Sequence, residues 1–286
     1  MKKFFKGLGA ALGYFGVFLL IQFWVTMIDV LFLMGDLFEE LGTVIFTDFN
    51  LFMDTYITRL LEQTAGVVLA SNVISVAGIW LIFQLCHKNF PREIGLQKMK
   101  WGNLPLSILF GFGLCYTLSL VTTLLPIPED MFSEFAQEHD TLFMGSKVLT
   151  CLSVGLIGPF AEEVFFRGLC YTRMKKGMPT ILALILASAL FGLAHGNLIW
   201  MLVAFLAGCG MAWIYETTGS LWASILVHMT NNLLAFASDY MPETDTFALI
   251  VIGSGVVSLI GSAIGLYFLN RKPRTPVPVI MAGPEY

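Results

Sequence analysis

The chain has 286 residues, 57% of them hydrophobic and 13% charged, with a formal net charge of −4 and a mean hydropathy of +0.78. A soluble domain carries about 25% charged residues, so this composition excludes an ordinary soluble globule. No basic stripe is present, which excludes nucleic acid as a partner. Cys86, Cys115, Cys151, Cys170 and Cys209 lie in or beside apolar runs with no CxxC. That usage excludes a disulfide framework and a thiolate metal site.

The sequence opens on Met1-Lys2-Lys3-Phe4-Phe5-Lys6, a basic start like that of a signal peptide. The apolar run that follows reaches about Ile28, too long for a signal core, and no small-x-small site closes it. It reads as a retained first membrane helix. Spanning segments are predicted at 7–34, 64–86, 103–125, 147–172, 179–195, 198–216, 219–238 and 247–270. Gly158-Pro159 interrupts the fourth and predicts a break or kink there. A break would set Glu162 near a new helix N-terminus, where the dipole favours a carboxylate.

Eight spans explain the charges. Lys2, Lys3, Lys6, Lys88, Arg92, Lys98, Lys100, Arg173, Lys175, Lys176, Arg271, Lys272 and Arg274 then fall on one side. The alternate loops, Asp36 to Glu62, Glu129 to Asp140 and Asp239 to Asp245, are acidic. The positive-inside rule puts both termini in the cytoplasm of a bacterial-type plasma membrane. The expected architecture is all-α, a polytopic transmembrane bundle of about eight helices. It divides into N-terminal helices over 1–144, a core over 145–240, a last helix over 241–272 and a tail over 273–286. The tail has four prolines and few charges and is expected to be disordered. The sequence leaves the oligomeric state open.

Three polar clusters interrupt the later spans. In Ala161-Glu162-Glu163-Val164-Phe165-Phe166-Arg167-Gly168, three charges fall within six positions. Each costs about 2.5–3.5 kcal/mol at the centre of a bilayer on insertion scales. Glu163 and Arg167 are four apart and can pair on one helix face, which leaves Glu162 without a local partner. Phe191 and His195 share the same spacing, as do His228 and Asn232. A structural ion pair with interhelical hydrogen bonds would account for most of these residues but not for Glu162. Counting inward at about 1.5 Å per residue puts Glu162 and His228 at roughly 15 Å and His195 at roughly 24 Å.

The order EExxxR, FxxxH, HxxxN resembles the CPBP family of intramembrane proteases. That name covers type II CAAX prenyl proteases and bacteriocin-processing or immunity proteins. The segments that carry the resemblance are Glu162 to Arg167, Phe191 to His195 and His228 to Asn232, preceded by Thr218-Gly219-Ser220-Leu221-Trp222. The resemblance covers about 145–240. It implies an endopeptidase acting in membrane lipid on a membrane-associated or lipidated peptide. Glu162 and His195 would activate water, and His228 and Asn232 would form an oxyanion hole. Glu163 and Arg167 would be a structural ion pair.

Glu162, His195 and His228 also form a plausible catalytic zinc set. The family is often classed with metalloproteases, but HExxH is absent, and a metal-free glutamate mechanism is preferred. The rival readings are a non-catalytic immunity or scaffold protein and an ion-coupled transporter. A transporter would more often show internal repeats and paired broken helices.

Overall fold

A computed structural model describes residues 1–142, 144–238, 240–242 and 244–271. Among the described residues the chain forms nine principal helices: α1 (Lys2–Leu41), α2 (Phe49–Leu85), α3 (Asn103–Leu124), α4 (Glu129–Leu142), α5 (Lys147–Lys175), α6 (Thr180–Leu193), α7 (Leu198–Thr218), α8 (Leu221–Ser238) and α9 (Asp245–Asn270). The architecture is an all-α, polytopic membrane bundle, with no strand among the described residues.

Each predicted span appears as a helix, but they are not equivalent. Among the described residues, six are long and apolar enough to cross a membrane: α1, α2, α3, α5, α7 and α9. The 14 residues of α6 rise only about 21 Å. The 18 residues of α8 include His228, Asn231 and Asn232, which lower its hydropathy. The expected tail lies outside the described residues.

Two further differences from the sequence reading have local causes. The acidic stretch from Glu129, expected as a loop, is the amphipathic helix α4. Its Phe132 and Phe135 are spaced for one face, and Phe135 packs on Trp200 of α7 with ring centroids 4.7 Å apart. Second, α1 and α2 overrun their predicted limits, with 40 and 37 residues. At about 1.5 Å per residue they exceed a hydrocarbon core of about 30 Å. Their outer ends hold a small apolar cluster of Leu33, Leu37 and Phe52, and Arg59 pairs with Glu40 at 3.1 Å. Gly42, at φ +52, ends α1, and the Asp48 side chain accepts from Leu51 N to start α2.

Burial follows the membrane pattern. Leu31, Phe32, Ile181, Leu249 and Val257 are exposed on the outside of the bundle, where lipid covers apolar side chains. Ser71, Asn103, Ser107, Glu163, Arg167 and His228 are buried inside it. At the centre lies α5, whose segment Val164–Tyr171 is buried at every position. Around it pack α1, α6 and α8. Small residues permit the closest approaches: a side chain at Gly111 of α3 would begin 2.6 Å from the Val227 carbonyl oxygen of α8.

The connection from 86 to 102 is a packed cap on one end of the bundle. Ile94 is fully buried. The Leu221 amide donates to the Gly95 carbonyl at 2.9 Å, and the Ser220 hydroxyl donates to the Gln97 carbonyl at 2.5 Å. Arg173 joins Glu93 at 2.8 Å, and the guanidinium holds the Glu93 carboxyl below the usual carboxylate range.

Candidate active site

Of the break or kink expected at Gly158-Pro159, the break is absent, because α5 is continuous there. It winds instead as α-helix over Lys147–Thr150, π-helix over Cys151–Ile157, α-helix over Gly158–Glu163 and π-helix over Val164–Tyr171. Proline lacks an amide hydrogen and crowds the preceding turn. A wider turn before Pro159 accommodates both demands without ending the helix. Glu162 therefore has no free helix N-terminus beneath it, and the dipole argument for its charge does not apply.

The two glutamates diverge as their adjacency requires. Glu163 is fully buried. Its Oε1 lies 2.6 Å from Arg167 Nη1 and 3.0 Å from His228 Nδ1. Its Oε2 accepts from the Ser224 hydroxyl at 2.5 Å. Arg167 stacks over the Phe191 ring, 4.3 Å from its centroid. Glu162 turns the other way, retains 23% side-chain exposure and faces His228 Nε2 at 3.6 Å.

One face of α8 supplies the matching groups. Ser224, His228 and Asn232 recur every four residues, which aligns them on a helix. A carboxylate only accepts, so the proton in the His228–Glu163 contact belongs to Nδ1. In the neutral ring Nε2 is then an acceptor; in the imidazolium both nitrogens donate. Asn232 Nδ2 donates to the Val154 carbonyl at 3.0 Å, and its Oδ1 accepts from Asn231 Nδ2 at 3.1 Å. Asn231 Oδ1 is buried and has no partner among the described residues.

His195 lies in the turn after α6. Its Nδ1 is 2.8 Å from the Phe191 carbonyl oxygen. Since a carbonyl only accepts, Nδ1 carries the proton, and Nε2 of the neutral ring is an acceptor. The Phe191 ring stands edge-to-face with both imidazoles, at 4.8 Å from His195 and 5.6 Å from His228. Asn197 then starts α7 by accepting from Ile199 N at 2.9 Å.

Glu162, His195, His228 and Asn232 all line one cavity of about 670 Å³. The depth count separated His195 from the others, yet it shares their cavity. Most of the remaining wall is apolar, including Phe18, Val68, Leu118, Val203 and Met211. A volume of this size fits a small-molecule or peptide site. Among the described residues, no group of three or more His, Cys, Asp or Glu side chains is arranged to hold a metal ion. Glu162, His195 and His228 share the cavity without being gathered as such a group.

Sequence reasoning missed Ser224 and Asn231. Ser224 stands four residues before His228, the same interval that singled out Asn232, so its signal was present. Asn231 gave none, because adjacency to Asn232 predicts a different face.

Fold and site together define a helical membrane protein with a carboxylate–imidazole pair inside an apolar cavity. Residues 144–234 match a family model described as type II CAAX prenyl endopeptidase Rce1-like. The chain is also similar to the Bacillus subtilis (strain 168) protein described as "Putative membrane peptidase YdiL", with 24% identity over 104 residues. That alignment covers 34% of this chain and 43% of the relative, so the chain spans less than half of the relative's length. No solved structure matches. The family-model match spans the segment that carries all three motifs.

Proposed function

We propose that the protein is an intramembrane endopeptidase that hydrolyses a peptide bond of a membrane-associated or lipidated polypeptide. The observation that carries this reading is the 3.6 Å approach of Glu162 to His228 Nε2 in the cavity, with His228 tethered from behind by Glu163.

In this reading Glu162 is the general base. It takes one proton from a water molecule, while His195 Nε2 accepts a hydrogen bond from the other and orients it. The water oxygen attacks the scissile carbonyl carbon, and the carbonyl π electrons move onto oxygen. The Asn232 amide has one N–H committed to the Val154 carbonyl and a second available for that oxyanion. His228 donates to the oxyanion through Nε2 only as an imidazolium, because its Nδ1 proton is committed to Glu163. Collapse of the tetrahedral intermediate breaks the C–N bond, and Glu162 returns its proton to the leaving amine. Preorganised donors in a water-poor site supply the main stabilisation of such an intermediate.

The test is substrate capture. A Glu162→Gln protein in native membranes should retain a peptide that the wild type cleaves, and the trapped peptide can be identified by mass spectrometry. Cleavage at the wild-type rate by purified Glu162→Gln protein would remove Glu162 from the mechanism.

A further inference from the structure

The cavity lies toward one end of the bundle, and the two ends of the bundle differ in charge. Beyond Glu162 and His228 in one direction, the Val164–Tyr171 turns are buried at every position. Met174, Leu221 and Ile94 are fully buried behind them. The cap over 86–102 closes this end through Leu221 N to Gly95 O, Ser220 Oγ to Gln97 O and Arg173 to Glu93. Lys175 pairs with Glu216 at the same end. Here also lie the starts of α1 and α3 and the ends of α2 and α9. The end therefore collects Lys2, Lys3, Lys6, Lys88, Arg92, Lys98, Lys100, Arg173, Lys175, Lys176 and Arg271.

In the other direction the lining runs to the opposite end of the bundle. Helix α6 stops after 14 residues, and the turn from Ala194 to Asn197 lines the cavity directly. Thr141 of α4, Trp200 of α7 and Ala235 of α8 also line it at this end. The chain segments at this end contain Arg59 and Lys147 as their basic residues among those described. They also contain Asp36, Glu39, Glu40, Asp48, Asp54, Glu62, Glu129, Asp130 and Glu134.

Short segments rich in Lys and Arg stay on the cytoplasmic side. We infer that the cavity opens away from the cytoplasm. Its substrate is then an apolar, membrane-inserted segment of an exported or outer-leaflet-anchored polypeptide, rather than a lipidated C-terminus presented from the cytoplasm. The substrate class rests on the protease reading above; the side of access does not. The acidic segments at this end repel anionic polypeptides and favour neutral or cationic ones.

Cysteine labelling tests the side. Cys86 is native and exposed at the capped end, and it serves as the reporter there. Glu134→Cys reports the α4 surface, and Ala235→Cys reports the cavity wall. A membrane-impermeant maleimide is applied to right-side-out and to inverted vesicles, and modification is read peptide by peptide against the wild type. In right-side-out vesicles the Glu134→Cys and Ala235→Cys proteins should be modified and Cys86 protected; in inverted vesicles the pattern should reverse. Modification of Ala235→Cys only in inverted vesicles, or from neither side, overturns the inference. Modification of Glu134→Cys and Cys86 from the same side overturns it as well. Labelling needs no catalysis, so failure of the protease reading would show separately, as unimpaired cleavage by Glu162→Gln.

Discussion

His228 Nδ1 and Glu163 Oε1 lie 3.0 Å apart, and the contact joins the helix that carries both glutamates to the helix that carries the imidazole. The same oxygen meets Arg167 at 2.6 Å. One buried carboxylate thus fixes a guanidinium on its own helix and an imidazole on another, and its neighbour Glu162 is left for the cavity. Adjacent glutamates on a helix face different directions, so a single dipeptide supplies both a tether and a reactive group.

Removing the base should abolish turnover without unfolding the protein. Loss of a positioned general base costs about 10²–10⁴ in rate. Glu162→Gln and His195→Ala are each expected to fall in that range while inserting normally. Single-turnover cleavage in detergent, with membrane insertion as the control, measures both.

Removing the tether should damage the fold. Breaking a buried pair by deleting one partner costs roughly 3–5 kcal/mol, because Arg167 would remain charged with its paired carboxylate gone. Glu163→Gln should melt well below the wild type and turn over slowly. Ser224→Ala removes one hydrogen bond to a charged group, worth about 1.5–3 kcal/mol, and should lie between the two. Equal melting of Glu163→Gln and wild type would contradict the structural role.

The oxyanion assignment also bears on metal. Loss of one preorganised donor costs about 10²–10³ in turnover, so Asn232→Ala should lower kcat more than it changes KM. If His228 only donates, His228→Ala should resemble Asn232→Ala. Elemental analysis of wild-type protein is the deciding measurement. Stoichiometric zinc lost in His228→Ala, with activity removed by chelator and restored by zinc, would replace the metal-free reading.

The capped end should respond to acid. Arg173 holds the Glu93 carboxyl below its ordinary range. A depressed carboxyl contributes stability above its unfolded value, and that contribution is lost as pH falls through the folded value. Glu93 is 35% exposed, so the effect should be under about 1 kcal/mol. Arg173→Gln should lower the melting temperature near neutrality and narrow its decline on acidification.

The membrane class, the helix positions and the groups now found around one cavity were legible because charge inside an apolar run is costly and spacing by four marks a helix face. Depth was not legible. Counting at a uniform rise treats every helix as running straight along the membrane normal, and one cavity spans the levels that the count separated. Pro159 pointed to a break or kink, and wide turns carry α5 through it without a break. Helix α4 was hidden by its acidic composition, although Phe132 and Phe135 were already spaced for a face. The cap over 86–102 depends on tertiary contacts such as Ile94 and Gly95 against α5 and α8, which leave no periodic trace.

The two π-wound stretches of α5 have a consequence for engineering. An α-helix turns about 100° per residue, and a π turn advances less. Over eight α-helical residues Val154 and Glu162 would drift apart around the axis; the wide turns between them bring both to the cavity wall. Trimming one residue from Cys151–Ile157 would let the backbone relax into uniform winding, a change that selection for heat resistance could reward. It would also rotate the Val154 carbonyl away from Asn232. Stabilising screens on this protein therefore need an activity readout beside the melting curve, because the most regular helix is the one least able to hold the site.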